Sequence, residues 1–536
     1  MTDGSLPDRT GGRLRLADLA ASLATVLRTG DPGSAATDPA ADPAAREVLG
    51  ATLDSRRVAP GDLYAALPGA RAHGADFAAQ AAAAGAVAAL TDPTGAERVL
   101  AAGLPALVVD DPRAVLGDLA AAIHGRPGDR LRTVGVTGTN GKTTTAYLVE
   151  AVLRHSGWCT GLLGTVETRI AGERVASVRT TPEAPDLHAL LARMRDAGVR
   201  GCALEVSSHA LAQHRVDGLV VDVAVFTNLS QDHLDFHPTM EDYFRAKASL
   251  FTPARARHGV VALDDDWGRR LLHEARAAGL PVTGVRTQPG AGDADWTVDV
   301  LDAGREGSTV ELVPADGSSP WRLRCPMPGS FNVSNAVLAA VAGLRLGLTR
   351  EQVAAGLARA EGVPGRMQLV PAPPALAGRA PVVVVDYAHS PDALTRVLTT
   401  LRAQTPGRLV VVLGAGGDRD RVKRPLMGAA AAGLADVVVV TDDNPRSEVP
   451  ADIRAAVLAG ARPAAGPGVR VLEVADRREA VATALAAAQG PGDTVLLAGK
   501  GHESGQETAG VTVPFDDREV AAELLRASAP STGGAA

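Results

Sequence analysis

The stretch that most restricts how this chain can fold is LRTVGVTGTNGKTTT at 131–145. Leu131 to Val136 run toward an apolar segment of the kind that ends a buried strand, and Gly138-Thr139-Asn140-Gly141 turn the backbone. Lys142-Thr143-Thr144 then open a segment in which Tyr147, Leu148, Ala151 and Val152 recur at helical spacing. Strand, glycine loop and helix start, in that order, aim unpaired backbone N–H groups and the positive end of a helix at one spot. Such a spot suits phosphate. Lys142 is placed to reach the outer phosphates of a nucleotide, and the Thr143 hydroxyl to ligate the magnesium that rides on them. The strict phosphate-loop pattern wants glycine where Val136 stands, with Gly135 and Gly138 beside it instead, so the loop is a variant. A chance Gly-rich turn is the alternative, and the strand and helix around it argue against that.

At 536 residues the chain has room for three domains of ordinary size. It is 46% hydrophobic but only 3% aromatic, so its cores must be built from Ala, Val and Leu. A net charge of −7 argues against general nucleic-acid binding while leaving room for a local Arg/Lys pocket for small anions. Cys159, Cys202 and Cys325 lie far apart with no CxxC pair, which implies neither a disulfide framework nor a zinc site and suits a reducing cytosol. No charged-then-apolar signal opens the chain, and no apolar run is long enough to span a bilayer. The expectation is a cytoplasmic monomer that handles small molecules, with no nucleic-acid partner and no membrane insertion.

Residues 1–12 and 528–536 are rich in Gly, Ser, Thr, Pro and Ala and read as disordered tails, and 30–45 as a flexible insertion. Short strands, turns and Ala-rich helices over 13–128 suggest a small α/β domain. Residues 129–362 alternate strands and helices around the glycine loop, as in a P-loop ATPase-like parallel sheet covered by helices. A third series, 363–527, follows the Pro364-Gly365 break. Its runs VVVVDYAH (382–389), RLVVVLGAGG (408–417), DVVVVTDD (436–443) and TVLLAGKG (494–501) are continuous apolar strands ending in Gly or Asp. Strands of that kind are buried on both faces, with ligands at their carboxyl ends, in a Rossmann-like arrangement. The fold class is α/β, in three domains.

Behind the loop, CALEVSSHAL (202–211) delivers Glu205 at the end of an apolar strand. VAVFTNLSQDHLDFH (223–237) opens onto Asn228, Asp232, His233, Asp235 and His237. Phosphoryl transfer needs hard oxygen ligands for magnesium and positive charge near the transferred phosphate. Alone, Glu205 reads as a helix cap and His233 as a structural histidine. At strand ends behind a phosphate loop, they read as functional.

Here the chain resembles the Mur ligases, ATP-dependent amide-forming enzymes that add amino acids one at a time to the peptidoglycan precursor. The blocks that carry the resemblance run from TLDSR (52–56) to FDDRE (515–519). Between them stand GTNGKTT (138–144), TTPE (180–183), EVSSHAL (205–211), NLSQDHLDFH (228–237) and AKASLF (246–251). Further on come PGSFNVSNA (328–336), VPGRM (363–367), DYAHSPDAL (386–394), GGDRDRVKRPLM (416–427), DNPR (443–446) and GKGHE (499–503).

The resemblance implies ATP and Mg2+ as cofactors, with Gly138, Thr139, Asn140, Gly141, Lys142, Thr143 and Thr144 around the phosphates. It implies that Thr143 and Glu205 hold one magnesium and His233 a second, and that Lys142, His233 and Lys247 are catalytic. Lys247 matches a lysine that this family carboxylates to N6-carboxylysine, whose carbamate can join the second metal site. That modification needs a neutral amine, so the site must depress the lysine's pKa. Asn332 and Asp386 match positions at adenine and ribose, Arg366 stands at the hinge near the nucleotide, and His389 is a phosphate candidate. One departure is Ala262, where relatives usually carry Asn.

For the nucleotide-linked precursor, Leu53, Ser55, Ala70, Arg71 and Ala72 match the uridine diphosphate end. Thr180, Thr181, Ser207, Gln213 and Arg215 match the peptide end, with Arg179 where relatives often have Asn. The most telling block is Asp443-Asn444-Pro445-Arg446, which in relatives that add meso-diaminopimelate reads DNPR. Diaminopimelate carries a carboxylate that lysine lacks, and a guanidinium fork can bind it in two parallel hydrogen bonds. Arg419, Gly499 and Glu503 match the remaining contacts, Glu503 suiting an ammonium group. The expected reaction is ATP-dependent addition of meso-diaminopimelate to UDP-N-acetylmuramoyl-L-alanyl-D-glutamate through an acyl phosphate. The alternatives are the same ligation with lysine, a folylpolyglutamate synthase, and a nucleotide-binding regulator without catalysis.

Overall fold

The apolar run before the glycine loop becomes the strand Arg132–Thr137, at the heart of an 11-stranded sheet in the computed structural model. Its neighbours Gly201–Glu205 and Val221–Phe226 both run parallel to it. The structure describes residues 14–29, 42–175, 177, 179–288, 290 and 293–528. The expected N-terminal tail, all but Ser528 of the C-terminal one, and residues 30–41 of the expected insertion lie outside the described residues.

Parallel pairing continues through Ala256–Ala262, Val282–Arg286 and Trp296–Gly304 on one side and Thr160–Leu163 on the other. Both edges then turn antiparallel, through Thr168–Ile170 and Glu173–Val175 at one end and Gly307–Pro314 and Trp321–Cys325 at the other. The central sheet is therefore mixed, where the sequence predicts a parallel one. The reason is visible in Trp321–Cys325, which alternates buried and exposed residues along WRLRC. An antiparallel edge strand with one wet face has that period, whereas strands buried on both faces do not. The helix Lys142–His155 crosses the sheet under Ser330–Arg345 and Arg350–Ala358, enclosing Val134, Val136, Val223, Val225, Leu148 and Val337 in one core. Each such fully buried Val or Leu contributes about 1.5–3 kcal/mol relative to exposure.

The four apolar runs of the C-terminal part form Val382–Asp386, Thr494–Ala498, Leu409–Leu413 and Val437–Val440, parallel neighbours in a 6-stranded sheet. Their residues are almost all buried, as continuous Val and Leu runs require. Their carboxyl ends place Asp386, Gly499, Gly414 and Asp443 on one rim.

The N-terminal part is a 5-stranded sheet that includes Gly50–Thr52, Asp62–Ala65, Ala88–Thr91 and Ala106–Val108. Its helix Pro112–Ile123 packs on Ala184–Asp196 of the central part. Gly117 lets the same helix approach the backbone at Asp217, whose carbonyl any Cβ there would strike. Among the described residues no helix is long and apolar enough to cross a membrane.

Candidate active site

The loop residues foreseen as a phosphate cradle are held in place before any ligand arrives. Gly138 and Gly141 have φ of +146° and +88°, and a Cβ would collide with the Thr227 hydroxyl at the first and the Asn335 amide at the second. Only glycine fits both. The Thr139 hydroxyl bonds to both the N–H and the carbonyl of Ser230, at 3.0 and 3.1 Å, and lies 3.1 Å from the Tyr243 hydroxyl. The Asn140 N–H donates to Asn228 Oδ1 at 3.0 Å, and the Thr227 hydroxyl donates to the Asn140 carbonyl at 2.6 Å. Lys142 folds back, its Nζ donating to the carbonyls of Gly138 and Thr139 at 3.0 and 2.9 Å. It must swing off these oxygens to meet a phosphate. Desolvation holds its ammonium below the ordinary lysine pKa, against the opposing pull of Glu205 and Asp232.

Thr143 and Glu205, predicted as a magnesium pair, do meet. The Thr143 hydroxyl donates to Glu205 Oε2 at 2.9 Å, and Arg366 Nη2 donates to that hydroxyl at 3.2 Å. The buried carboxylate also accepts from the Thr165 N–H at 2.7 Å and its hydroxyl at 3.1 Å. Magnesium takes few protein ligands and completes its shell with phosphate and water oxygens, so this hard-oxygen pair fits it. Among the described residues no group of three or more His, Cys, Asp and Glu is placed to hold a metal.

The second set is different. His233 adopts φ +55°, donates its N–H to Asp232 Oδ1 at 3.0 Å, and keeps Nε2 3.7 Å from Asp232 Oδ2. Burial, partly offset by Asp232, holds its pKa below the ordinary histidine value. Lys247 is fully buried, with Nζ donating to the Gly138 carbonyl at 2.7 Å and lying 4.5 Å from the Tyr243 ring centre. Burial first, and the Lys142 charge second, drive its pKa well below the usual value. As an amine Lys247 offers a metal nothing useful, so His233 and Lys247 fit magnesium only once the lysine is N-carboxylated.

A cleft of about 590 Å³ opens between the central and C-terminal sheets. Of the expected nucleotide contacts, Asn332, Arg366, Asp386 and His389 all line it. Asn332 is engaged, donating to the Pro328 carbonyl at 2.7 Å and accepting from Asn335 Nδ2 at 3.2 Å. The Asp386 carboxylate accepts the N–H groups of Met367 and Ala388 at 2.7 and 2.8 Å, and burial raises its pKa. Arg366 stacks 4.4 Å from the Tyr387 ring centre. His389 Nδ1 lies 2.7 Å from the Tyr387 carbonyl, and burial lowers the ring's pKa to about 4. Ala262 ends its strand buried and without a polar group. Beside it, Asp264, Asp265, Phe331 and Ser334 line the cleft, with Asp264 accepting the N–H of Thr287 at 2.8 Å. These four were missed, although the acidic run in VALDDDWG points to the first two.

Arg179, Thr180, Thr181, Ser207 and Arg215 line the same cleft. Gln213 stands outside the lining and accepts from Arg215 Nη2 at 2.5 Å. Glu183, overlooked in TTPE, gathers three arginines: Arg215 at 3.0 Å, Arg179 at 3.2 Å and Arg113 of the N-terminal part at 3.3 Å. Leu53, Ser55, Ala70, Arg71 and Ala72 lie outside the cleft lining, on the N-terminal part. Ser55 is buried and donates to Gln80 Oε1 at 2.9 Å, whereas Ala70, Arg71 and Ala72 form an exposed turn.

At the other end, Arg419, Asp443, Asn444, Arg446, Gly499 and Glu503 line the cleft, and Pro445 sits between two of them without lining it. Asn444 and Arg446 take φ of +44° and +52°, a region costly for non-glycine residues. Arg446 Nη1 donates to the Gly417 carbonyl at 2.7 Å, and Asn444 Nδ2 to Glu503 Oε2 at 2.7 Å. One cleft therefore joins a phosphate cradle, an arginine-rich wall and an Arg/Glu end.

Three family models match this chain: "Mur ligase family, catalytic domain" over 47–124, "Mur ligase middle domain" over 136–343, and "Mur ligase, glutamate ligase domain" over 365–501. A Streptomyces avermitilis protein named UDP-N-acetylmuramoyl-L-alanyl-D-glutamate–2,6-diaminopimelate ligase is 55% identical, over 90% of this chain and 93% of its own. A Streptomyces coelicolor protein of the same name is also 55% identical, over 91% and 94%. A solved structure of a ligase of that name superposes with a TM-score of 0.63 at 34% identity, covering 90% of this chain and 95% of its own.

Proposed function

This chain belongs to the Mur ligase family, and we propose that it joins meso-diaminopimelate to UDP-N-acetylmuramoyl-L-alanyl-D-glutamate, using ATP. The observation that carries this reading is the placement of Arg446 and Glu503 on the cleft that also holds the glycine loop. Relatives 45–55% identical over most of the chain bear the diaminopimelate ligase name. A guanidinium and a carboxylate facing one cavity complement an amino acid with a second carboxylate and a second ammonium.

The γ-carboxylate of the D-glutamyl residue attacks the γ-phosphorus of ATP, ADP leaves, and an acyl phosphate forms. The amine of diaminopimelate then attacks the acyl carbon, loses a proton, and phosphate departs. Loop N–H groups and Lys142, swung from its carbonyls, offset charge on the transferring phosphoryl group. When bound, magnesium would add Lewis-acid stabilisation there, one ion on Thr143 and Glu205 and a second on His233 and N-carboxylated Lys247. Asn332 and Asp386 take the nucleoside end of ATP, and Arg366 stands beside the nucleotide, on the Thr143 hydroxyl. Arg179, Thr180, Thr181, Ser207 and Arg215 take the peptide end of the precursor, while Leu53, Ser55 and the turn 70–72 take its uridine diphosphate. Arg419, Asp443, Asn444, Arg446, Gly499 and Glu503 grip diaminopimelate.

Closure of the C-terminal sheet over the loop keeps water from the acyl phosphate. Asp392, which accepts from Asn140 Nδ2 at 3.0 Å and the Ser230 hydroxyl at 3.2 Å, supports that contact. A monomer suffices, since one chain supplies the whole cleft, and free Cys159, Cys202 and Cys325 suit the cytoplasm. Phosphate release tests the reaction class. It should require ATP, the nucleotide dipeptide and the amino acid together, and release from ATP alone at the full rate would contradict it.

A further inference from the structure

Lys500 is one of three residues of GKGHE that no contact expected of the sequence uses, and it is fully buried. Its three ammonium hydrogens have three acceptors in reach: the Gly505 carbonyl at 2.8 Å, Asn444 Oδ1 at 3.2 Å and Asp443 Oδ1 at 3.3 Å. Glu503 Oε2 stands at 3.9 Å. Three of these partners, Asp443, Asn444 and Glu503, line the cleft, while the lysine lies one layer behind them.

Burying an ammonium costs several kcal/mol unless it is paired and hydrogen-bonded, so a lysine persists here only through what it organises. What it organises is the specificity turn. Asn444 Oδ1 accepts from Lys500 and also from the Glu507 N–H at 3.0 Å, and the Asn444 amide donates to Glu503. The hairpin Gly505–Thr508 with Val511–Pro514 continues the clamp. Arg446 donates its N–H to the Glu507 carbonyl at 3.1 Å, and its own carbonyl accepts from Ala509 at 2.7 Å. Two left-handed non-glycine residues, Asn444 and Arg446, are thus held by a hairpin and a buried cation. Such conformations persist only where the surroundings over-determine them. Charge follows the same plan. Burial raises the Glu503 pKa, Asp443 raises it further, and Lys500 opposes both.

We propose that Lys500 is a positioning residue for amino-acid selection: it pins Asn444 to the hairpin and balances Asp443 and Glu503, so that Arg446 and Glu503 present a fixed fork and anion. This rests on the diaminopimelate reading above. The lysine touches no substrate and acts through those that do.

The test is Lys500→Met, which keeps length and removes charge, with Lys500→Gln, which keeps donors for Asn444 and Gly505 without the charge. The readouts are KM for each substrate, kcat, and the ratio of kcat/KM for diaminopimelate over lysine. Lys500→Met should raise the KM for diaminopimelate by about tenfold or more and lower that ratio, leaving the KM for ATP within about twofold. Lys500→Gln should fall between Met and wild type. An unchanged ratio, or a parallel loss across all substrates, overturns the positioning role, as does failure of both variants to fold. A wild-type enzyme that ignores diaminopimelate would overturn the functional reading instead, so the two failures are distinguishable.

Discussion

Arg366 donates a hydrogen bond of 3.2 Å to Thr143 across 223 residues of chain, and so ties the C-terminal part to the first turn of the glycine-loop helix. Thr143 passes the contact on to Glu205 at 2.9 Å. The guanidinium is held over Tyr387, so its direction is set by the C-terminal part. Arg366→Met should therefore lower kcat/KM for ATP by about 10–100-fold, the loss of one charged hydrogen bond, with little change in melting temperature. Steady-state kinetics at varied ATP check this, and near-normal values would detach Arg366 from the nucleotide.

Among the described residues, Lys142 Nζ donates only to carbonyls of its own loop, Gly138 and Thr139. Its replacement removes charge from the phosphate site without opening a core. Lys142→Ala should abolish turnover while circular dichroism and thermal melting stay near wild type. Retained activity would sink the assignment of the loop to ATP.

The Gly138 carbonyl accepts from two lysines at once, Lys142 at 3.0 Å and Lys247 at 2.7 Å. Two ammonium ions on one oxygen repel; desolvation lowers the pKa of both, and that of the fully buried Lys247 is driven well below the usual value. A neutral amine is the nucleophile that attacks carbon dioxide, losing a proton as the carbamate forms. Intact-protein mass measured under native, bicarbonate-containing conditions should show the added mass of one carbon dioxide, absent in Lys247→Met, which should also be inactive. An unmodified and fully active enzyme in carbon-dioxide-free buffer would contradict the carbamate.

Acid should weaken the fold through histidines buried neutral. His188 is fully buried beside the Asp217 carbonyl at 2.9 Å, and burial lowers its pKa from 6.5 to about 4. The unfolded chain takes up a proton below pH 6.5 that the folded chain refuses until about pH 4. Its stabilising contribution is thus complete above pH 6.5 and declines as the pH falls toward 4, by roughly 1.4 kcal/mol per pH unit. Thermal melting followed between those limits should show the decline, and His188→Gln should make it shallower, since other buried histidines such as His389 contribute too. Equal slopes for both proteins would remove His188 from the cause.

What was legible in the chain, and what was not, divides along a physical line. The strands Val382–Asp386 and Leu409–Leu413 were plain because strands buried on both faces must be apolar throughout. Glu205 stood out because it ends the buried strand Gly201–Glu205, where a charge is costly unless it is used, and His233 because it sits in the polar loop that the strand Val221–Phe226 opens onto. The antiparallel edge at Trp321–Cys325 was written in its alternation but hidden by the stronger parallel pattern before it. Lys500, Arg113 and Glu183 were invisible for another reason. Each matters through a partner distant in the chain, and a pairing of polar groups so far apart leaves no periodicity to read. Gln213 shows the converse, a residue picked from its position that the fold turns toward Arg215.

On the proposed function, selection of diaminopimelate falls to Arg446 and Glu503 at a site energised by the glycine loop. The most direct measurement gives the purified enzyme ATP, UDP-N-acetylmuramoyl-L-alanyl-D-glutamate and equal amounts of meso-diaminopimelate and L-lysine, and identifies the tripeptide product by mass. The diaminopimelate product should dominate, and Arg446→Met should erase that preference, because a buried carboxylate without its partner costs several kcal/mol. A wild-type product containing mainly lysine would contradict the account.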